Sequence, residues 1–255
     1  MIDLTGKTIL LTGASKGIGA ATARILGEAG ANLVAHYSSD RAGAEQATKD
    51  IPADRKHLVQ GDLADRGAVD GVWRDALAWR GRIDVLVNNA AIFLNEGGID
   101  DSDEEWDRVW DATMQVNVMA PSRLLRSAVR HFRKEGGGIA VNISSWNGQR
   151  GSTNPRTIAY AASKAAIRAA VQTIARGYAK DKILAYIIAP GVVRTRLSEQ
   201  SAATLGGEEK VTATLAMGEW VPPEEIGYLV AFLATGRVRH LTGATLDING
   251  ASYVR

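Results

Sequence analysis

The sequence predicts an α/β fold, a doubly wound parallel sheet of about seven strands with helices on both faces. Three observations carry this. Short apolar runs alternate with segments of helical length along the chain. The runs Val85-Leu86-Val87 and Ile183-Leu184-Ala185-Tyr186-Ile187-Ile188 are continuously apolar, as strands covered on both sides are. The first apolar run leads into a Gly-rich turn and then a helical pattern, the opening of a βαβ unit.

Taken in order, the strands are expected at residues 8–11, 32–35, 57–60, 85–87, 139–143, 183–188 and 245–248. Helices are expected between them, at residues 19–30, 41–49, 68–80, 104–134, 157–180 and 224–234. The fourth helix opens at an acidic run in which Ser102 and Glu105 have capping-box spacing. Trp106 and Trp110 on that helix are expected in the core. Residues 195–220 have a weak pattern around Gly206-Gly207 and read as an insertion over the sheet edge. No repeat or Pro/Ser-rich linker divides the chain, so residues 1–255 are expected to form one domain.

Composition narrows the function classes. The net charge of +2 is too small to predict a nucleic-acid or acidic-membrane partner. The chain has no cysteine, which removes disulfides, thiolate catalysis and zinc–thiolate sites and fits a reducing compartment. The first residues carry no basic n-region, and Ile9-Leu10-Leu11 is too short for a signal or a membrane span. A cytoplasmic enzyme without a metal is expected.

The turn Thr12-Gly13-Ala14-Ser15-Lys16-Gly17-Ile18-Gly19 carries the first chemistry. Gly13 lets the chain leave the strand sharply. Gly17 and Gly19 let backbone approach a pyrophosphate and the helix pack on the sheet, with free N–H groups facing the anion. This makes the fold Rossmann-type and the ligand a dinucleotide. The second strand ends Ala35-His36-Tyr37-Ser38-Ser39 with no carboxylate to grip a ribose 2′-hydroxyl, and Asp40 comes late. Lys16, Ser38, Ser39 and Arg41 suit a 2′-phosphate, so NADP is expected before NAD, and Tyr37 is expected in the cofactor site. Asp placed at His36 is expected to reverse that preference.

Residues 159–176 are Ala-rich and free of Gly and Pro, and read as helix. Tyr160 and Lys164 then share a face. A phenol of pKa near ~10 needs about 4 kcal/mol to become an acid/base near pH ~7. A cation ~5 Å away at an effective dielectric of ~20 supplies about 3 kcal/mol. The sequence therefore points to a tuned phenol. Ser145 ends an apolar run at the carboxyl side of the sheet, where donors can meet a developing oxyanion.

Together these motifs resemble the short-chain dehydrogenase/reductase family in its short form, from Lys7 to Gly250. The resemblance rests on Thr12-Gly13-x-x-x-Gly17-x-Gly19, Asp62-Leu63, Asn88-Asn89-Ala90-Ala91, Asn117, Ser145, Tyr160-x-x-x-Lys164 and Pro190-Gly191. It implies an NAD(P)-dependent alcohol–carbonyl enzyme. Tyr160 would be the acid/base and Ser145 would hold the substrate oxygen. Lys164 would tune the phenol and bond the nicotinamide ribose, and Asn117 would hold a water for proton supply. Asp62 and Leu63 would contact adenine, and Asn89 and Ala90 the ribose. Pro190, Gly191 and Val193 would bind the carboxamide, with Thr195 at the pyrophosphate. Ser145 is preferred over Ser144 because the family's serine precedes a Gly by three residues, and Gly148 fits that register. The chain departs from the pattern in having Ala91 where Gly is frequent, and a longer stretch between Ser145 and Tyr160.

A small carbonyl or alcohol substrate is expected, with Trp146, Gln149 and Asn154 near it. A 3-oxoacyl carrier is the alternative, for which Arg194 and Arg196 are the local cations; a non-catalytic dinucleotide binder is another. The resemblance also implies a homodimer or homotetramer, with the Ala-rich helix facing Leu124, Leu125, Ala128 and Val129 of a partner.

Overall fold

The computed structural model describes residues 2–255. All seven expected strands form: β1 (Thr8–Leu11), β2 (Asn32–Tyr37), β3 (Lys56–Gln60), β4 (Val85–Asn88), β5 (Gly138–Ile143), β6 (Ile183–Pro190) and β7 (Thr245–Ile248). They make one sheet in the order β3-β2-β1-β4-β5-β6-β7, and every pairing is parallel. The order reverses between β1 and β4, so a crevice opens at their carboxyl ends.

Among the described residues there are ten α-helices: α1 (Gly17–Glu28), α2 (Arg41–Ala47), α3 (Arg66–Arg80), α4 (Asp103–Met114), α5 (Ala120–Glu135), α6 (Asn147–Arg150), α7 (Ile158–Tyr178), α8 (Arg196–Thr204), α9 (Glu208–Thr212) and α10 (Pro223–Ala234). Successive strand residues point to opposite faces. Ile9, Leu11, Leu33, Val85 and Val87 meet α1 and α10 on one side. Leu10, Val34, Leu86 and Ile187 meet α3, α5 and α7 on the other. Each fully buried Leu or Ile there contributes roughly 1.5–3 kcal/mol over an exposed one.

The single long helix expected over residues 104–134 is instead broken. Between α4 and α5 lies a π-helical turn, Gln115–Met119, in which the Ala120 N–H donates to the Gln115 carbonyl. The sequence signal was Pro121, which has no N–H to offer the Asn117 carbonyl four residues back. Ser102 caps α4 by accepting from the Glu105 N–H, but the Glu105 carboxylate turns to Arg108, so only one arm of the capping box forms. Trp106 and Trp110 are half-buried and stack on each other 5.3 Å apart, outside both core clusters.

The 195–220 insertion folds into α8 and α9 over the carboxyl edge of the sheet, with Leu215 and Trp220 packed beneath. A bridge from Val193 to Val221 pins its root. Among the described residues no helix is long and apolar enough to cross a membrane.

Candidate active site

The first wall of the crevice is the Gly-rich turn. Gly13 has φ +70°, and a Cβ there would lie 3.0 Å from Ala90 Cα. A Cβ on Gly19 would overlap the Gly13 carbonyl oxygen, so α1 packs as close as a glycine permits. Gly17, at φ +54°, faces the Thr195 side chain, whose Cγ2 a Cβ would meet at 3.1 Å. Thr195 caps α8, so the insertion begins directly above the turn. The first turn of α1 has no acidic side chain to occupy its N–H groups.

Thr12 and Asn89 hold this wall to the next one. Thr12 Oγ1 accepts from the Asn89 and Ala90 N–H groups, at 3.0 and 3.1 Å. Asn89 Nδ2 donates to the Thr12 and Gly13 carbonyls, at 2.9 and 3.0 Å. The Asn89 amide thus braces the turn, and Ala90 presents its backbone beside Gly13. Ser15 Oγ donates to the Asp40 carbonyl, Lys16 is exposed without an ion-pair partner among the described residues, and Ile18 packs partly against the core.

At the end of β2, Tyr37 is buried and Ser38 exposed. Asp40 caps α2 by accepting from the Gly43 N–H, and Arg41 pairs with Glu45 at 2.8 Å. The late carboxylate therefore has a structural task. His36 does not line the crevice as expected. It is 1% exposed and bridges two backbone groups, so an Asp there would be a buried carboxylate lacking both bonds. Beyond β3, Asp62 is exposed and Leu63 sits in the core beneath it.

The second wall comes from β5, β6 and α7. Ser144 is buried and its Oγ donates to the Lys164 carbonyl, which makes it a brace. Ser145 Oγ accepts from the Asn147 N–H, and Ser145 favours the ionised form of the Tyr160 phenol. A Cβ on Gly148 would stand 2.7 Å from the Lys164 backbone, so α6 can lie against α7. The 148 glycine and the 145 serine thus belong to one packing arrangement. Phe93 sets its ring edge-on to Tyr160 at 4.9 Å. Lys164 is buried; its Nζ donates to the Ile143 carbonyl at 3.0 Å and lies 5.6 Å from the Tyr160 ring centre.

The expected lowering of the phenol does not appear. Burial pushes Tyr160 up to about 12, with Ser145 pulling the other way, and pushes Lys164 down to about 8. Desolvation, which helix spacing does not reveal, is the main cause of both shifts. Without a ligand the pair is a protonated phenol above a weakened ammonium.

Asn117 enters from the π turn. Its Oδ1 accepts from the Ile92 N–H, and its Nδ2 donates to the Ile92 carbonyl and to Ser163 Oγ. Both amide donors are therefore engaged by protein. Pro190, Gly191 and Val193 close the crevice: the Gly191 N–H donates to the Ile248 carbonyl, and the Pro190 carbonyl accepts from Trp146.

A family model described as enoyl-(acyl carrier protein) reductase matches residues 13–251. The chain belongs to the short-chain dehydrogenase/reductase family. It is similar to 3beta-hydroxysteroid dehydrogenase 1 of Eggerthella lenta, 34% identical over 97% of this chain and 94% of that protein. It is also similar to the 3-oxoacyl-(acyl-carrier-protein) reductase of Vibrio cholerae, 32% identical over 99% of this chain and all of that one. Among solved structures, the 3-ketoacyl-(acyl-carrier-protein) reductase of Brucella melitensis, crystallised with NADH, superposes with a TM-score of 0.86 and 27% identity, covering 99% of this chain and 100% of that one. As a short-chain dehydrogenase/reductase the protein is an oxidoreductase acting on CH–OH and C=O groups.

On the substrate side a polar chain spans the crevice. Asn154 Nδ2 donates to Asn95 Oδ1 at 2.7 Å, and Asn95 Nδ2 donates to Thr204 Oγ1 at 3.2 Å. It joins the loop before α7, the loop after β4 and the tip of α8. Gln149 is turned away, donating to Asp247. Trp146 is half-buried beside the insertion and under Arg150, whose guanidinium lies 4.5 Å from its ring centre. Neither Asn95, Thr204 nor Phe93 stood out in the sequence, because none carries a motif.

Proposed function

We propose that residues 1–255 form a single dinucleotide-binding domain that interconverts a carbonyl and a secondary alcohol by hydride transfer with NADP. The observation that carries this is the Ser145–Tyr160–Lys164 arrangement at the carboxyl end of β5, facing the Gly-rich turn. A pure binder has no use for a serine and a phenol brought together over a buried lysine.

The cradle fits a dinucleotide. Left-handed Gly13 and Gly17 and the uncovered start of α1 suit a pyrophosphate, with Thr195 above it. Lys16 and Ser38 are exposed where a 2′-phosphate would lie, and Asp40 is held back by its capping bond. This favours NADP, although the Brucella melitensis relative was crystallised with NADH. Tyr37, Asp62 and Leu63 line the adenosine end; Asn89, Ala90, Pro190, Gly191 and Val193 line the rest.

NADPH, when bound, supplies the hydride. The protein's part is the oxygen. Ser145 donates a hydrogen bond to the carbonyl oxygen, and Tyr160, protonated at neutral pH, delivers the proton as charge develops. Lys164 holds the ribose and favours the phenolate that remains. Asn117 serves the proton route from the π turn.

The substrate is a small ketone, aldehyde or alcohol. A 3-oxoacyl carrier is the second reading, favoured by the reductases among the relatives. Of its two expected cations, Arg194 is paired with Glu208 at 2.8 Å and stacked on Trp220, which leaves Arg196. The test is turnover of a panel of ketones, aldehydes, secondary alcohols and a 3-oxoacyl thioester, read by nicotinamide absorbance with both cofactors. Turnover of nothing in the panel would refute the catalytic reading.

We further propose a homodimer or homotetramer. The four apolar residues of α5 expected to meet a partner, Leu124, Leu125, Ala128 and Val129, are instead buried in the protein's own core. Outward, α5 shows Arg123, Arg126 and Arg130, while Met119 and Ala169 are exposed beside it. On the opposite side Tyr228 and Phe232 form an exposed apolar pair on α10.

A further inference from the structure

His36 has no part in the chemistry described above, yet its setting is specific. It occupies the next-to-last position of β2, is 1% exposed, and lies on the strand between the Gly-rich turn and the end of β3. The Gly13 N–H donates to His36 Nδ1 at 3.1 Å. His36 Nε2 lies 2.9 Å from the Gly61 carbonyl oxygen. Because Gly13 brings a hydrogen, Nδ1 must accept; because Gly61 brings a lone pair, Nε2 must donate. Only the neutral Nε2–H tautomer satisfies both. Burial, which disfavours the charged ring, keeps it in that form against the pull of Asp62.

The backbone of the same residue repeats the link, since the His36 carbonyl accepts from the Ala14 N–H at 2.8 Å. The Tyr37 carbonyl accepts from the Gly61 N–H at 3.0 Å. The imidazole therefore closes a bridge across β2 between two places that β-pairing alone does not join. One is the left-handed glycine of the phosphate turn. The other is the backbone immediately before Asp62 and Leu63.

We propose that His36 is a positioning residue for the dinucleotide: a strut that sets the span between the phosphate turn and the adenosine end of the cradle. The proposal rests on the dinucleotide reading of the site. Its chemistry is that of a rigid ring with one acceptor and one donor, placed where a cofactor must be met at both ends at once. Any buried histidine must bond both ring nitrogens; what is specific here is the pair of partners, the N–H of the phosphate turn and the carbonyl before Asp62.

The two bonds separate by substitution. His36→Asn keeps an acceptor the same number of bonds from Cα as Nδ1 and loses the reach to Gly61. His36→Gln keeps a donor near Nε2 and loses the acceptor for Gly13. His36→Phe keeps bulk and loses both. Dissociation constants for NADPH and NADH are measured by fluorescence on each full-length protein, with melting temperatures alongside and steady-state KM and kcat where turnover is found.

His36→Phe is expected to weaken the preferred cofactor at least about tenfold, about 1.4 kcal/mol. Its cofactor KM should rise by more than its kcat falls. His36→Asn should recover most of the affinity and His36→Gln little, because the Gly13 bond is the one at the phosphates. Where His36→Phe fails to fold, the Asn and Gln pair carries the comparison. Equal affinity in the Asn and Gln variants and wild type would overturn the proposal, as would losses that follow melting temperature alone. Wild-type protein that binds neither dinucleotide would overturn the reading beneath it and the proposal together.

Discussion

The two walls of the crevice are built from different materials. The wall at β1, β2 and β4 is backbone: glycines at φ +70° and +54°, helix N–H groups, and the side chains of buried Thr12 and His36 and half-buried Asn89, which brace main chain. The wall at β5, β6 and α7, with the loops that close over it, is side chain: Ser145, Tyr160, Phe93 and the partly exposed chain Asn154–Asn95–Thr204. A ligand of fixed shape can be met by backbone, which tolerates almost no substitution. A ligand that varies between relatives is met by side chains on loops, which can change without disturbing the sheet.

The largest effect should come from the proposed acid/base. Tyr160→Phe removes only a hydroxyl, so turnover is expected to fall at least about a hundredfold while NADPH affinity stays within about twofold. A variant retaining more than a few per cent of the rate would take the acid/base from Tyr160.

Lys164→Met sharpens the contrast by separating function from stability. The lysine is charged but buried, and its pKa falls from 10.5 to about 8. Between those values the unfolded chain binds more protons than the folded one, so stability rises with pH across that window. Below about pH 8 the full cost of the buried charge remains, roughly 3 kcal/mol at 1.36 kcal/mol per unit. Lys164→Met should therefore melt higher at pH 7 than wild type and lose that advantage towards pH 10, while losing both rate and cofactor affinity. A lower melting point at pH 7 would show the lysine to be stabilising.

Ser38→Asp tests the backbone wall at its exposed rim. Wild type is expected to bind NADPH at least about tenfold more tightly than NADH, and the new carboxylate should reverse the order. Titration of both cofactors decides it; tighter NADH binding by wild type would remove the NADP assignment.

Asn154→Ala should have the smallest effect. It cuts the polar chain from the loop before α7, and a several-fold change in substrate KM is expected with cofactor KM unchanged. An equal change in both would mean that the two walls are not independent.

The same division explains what could be read in advance. The central strands were legible because a parallel strand buried on both faces leaves an unbroken apolar run, as in β4 and β6; the edge strands β3 and β7 carry polar residues and were placed by their spacing. The Gly-rich turn, Ser145, Tyr160 and Lys164 were legible because backbone geometry and helix spacing constrain residue type. Three features were not. The His36 bridge depends on what three separate segments place around one ring. The raised phenol depends on burial, which spacing cannot report. The polar chain joins residues far apart in sequence, Asn95 and Thr204 among them, that no local pattern links. The break at the π turn was visible in Pro121 and was hidden by the good helical pattern on either side.

That turn has a consequence for how the chain can change. A π turn holds one residue more than the α-helical turn it replaces, and an α-helix advances about 100° per residue. α4 and α5 are thus one rod with its phase slipped, which lets Asn117 point to Ile92 while Leu124 and Leu125 still point to the sheet. Deleting one residue between Gln115 and Met119 would bring the rod back into phase and give a longer, more regular helix. It would also rotate one half of the rod against everything it touches. The segment is therefore a place where the locally better helix is the worse protein, and where length is under constraint together with the identity of Asn117.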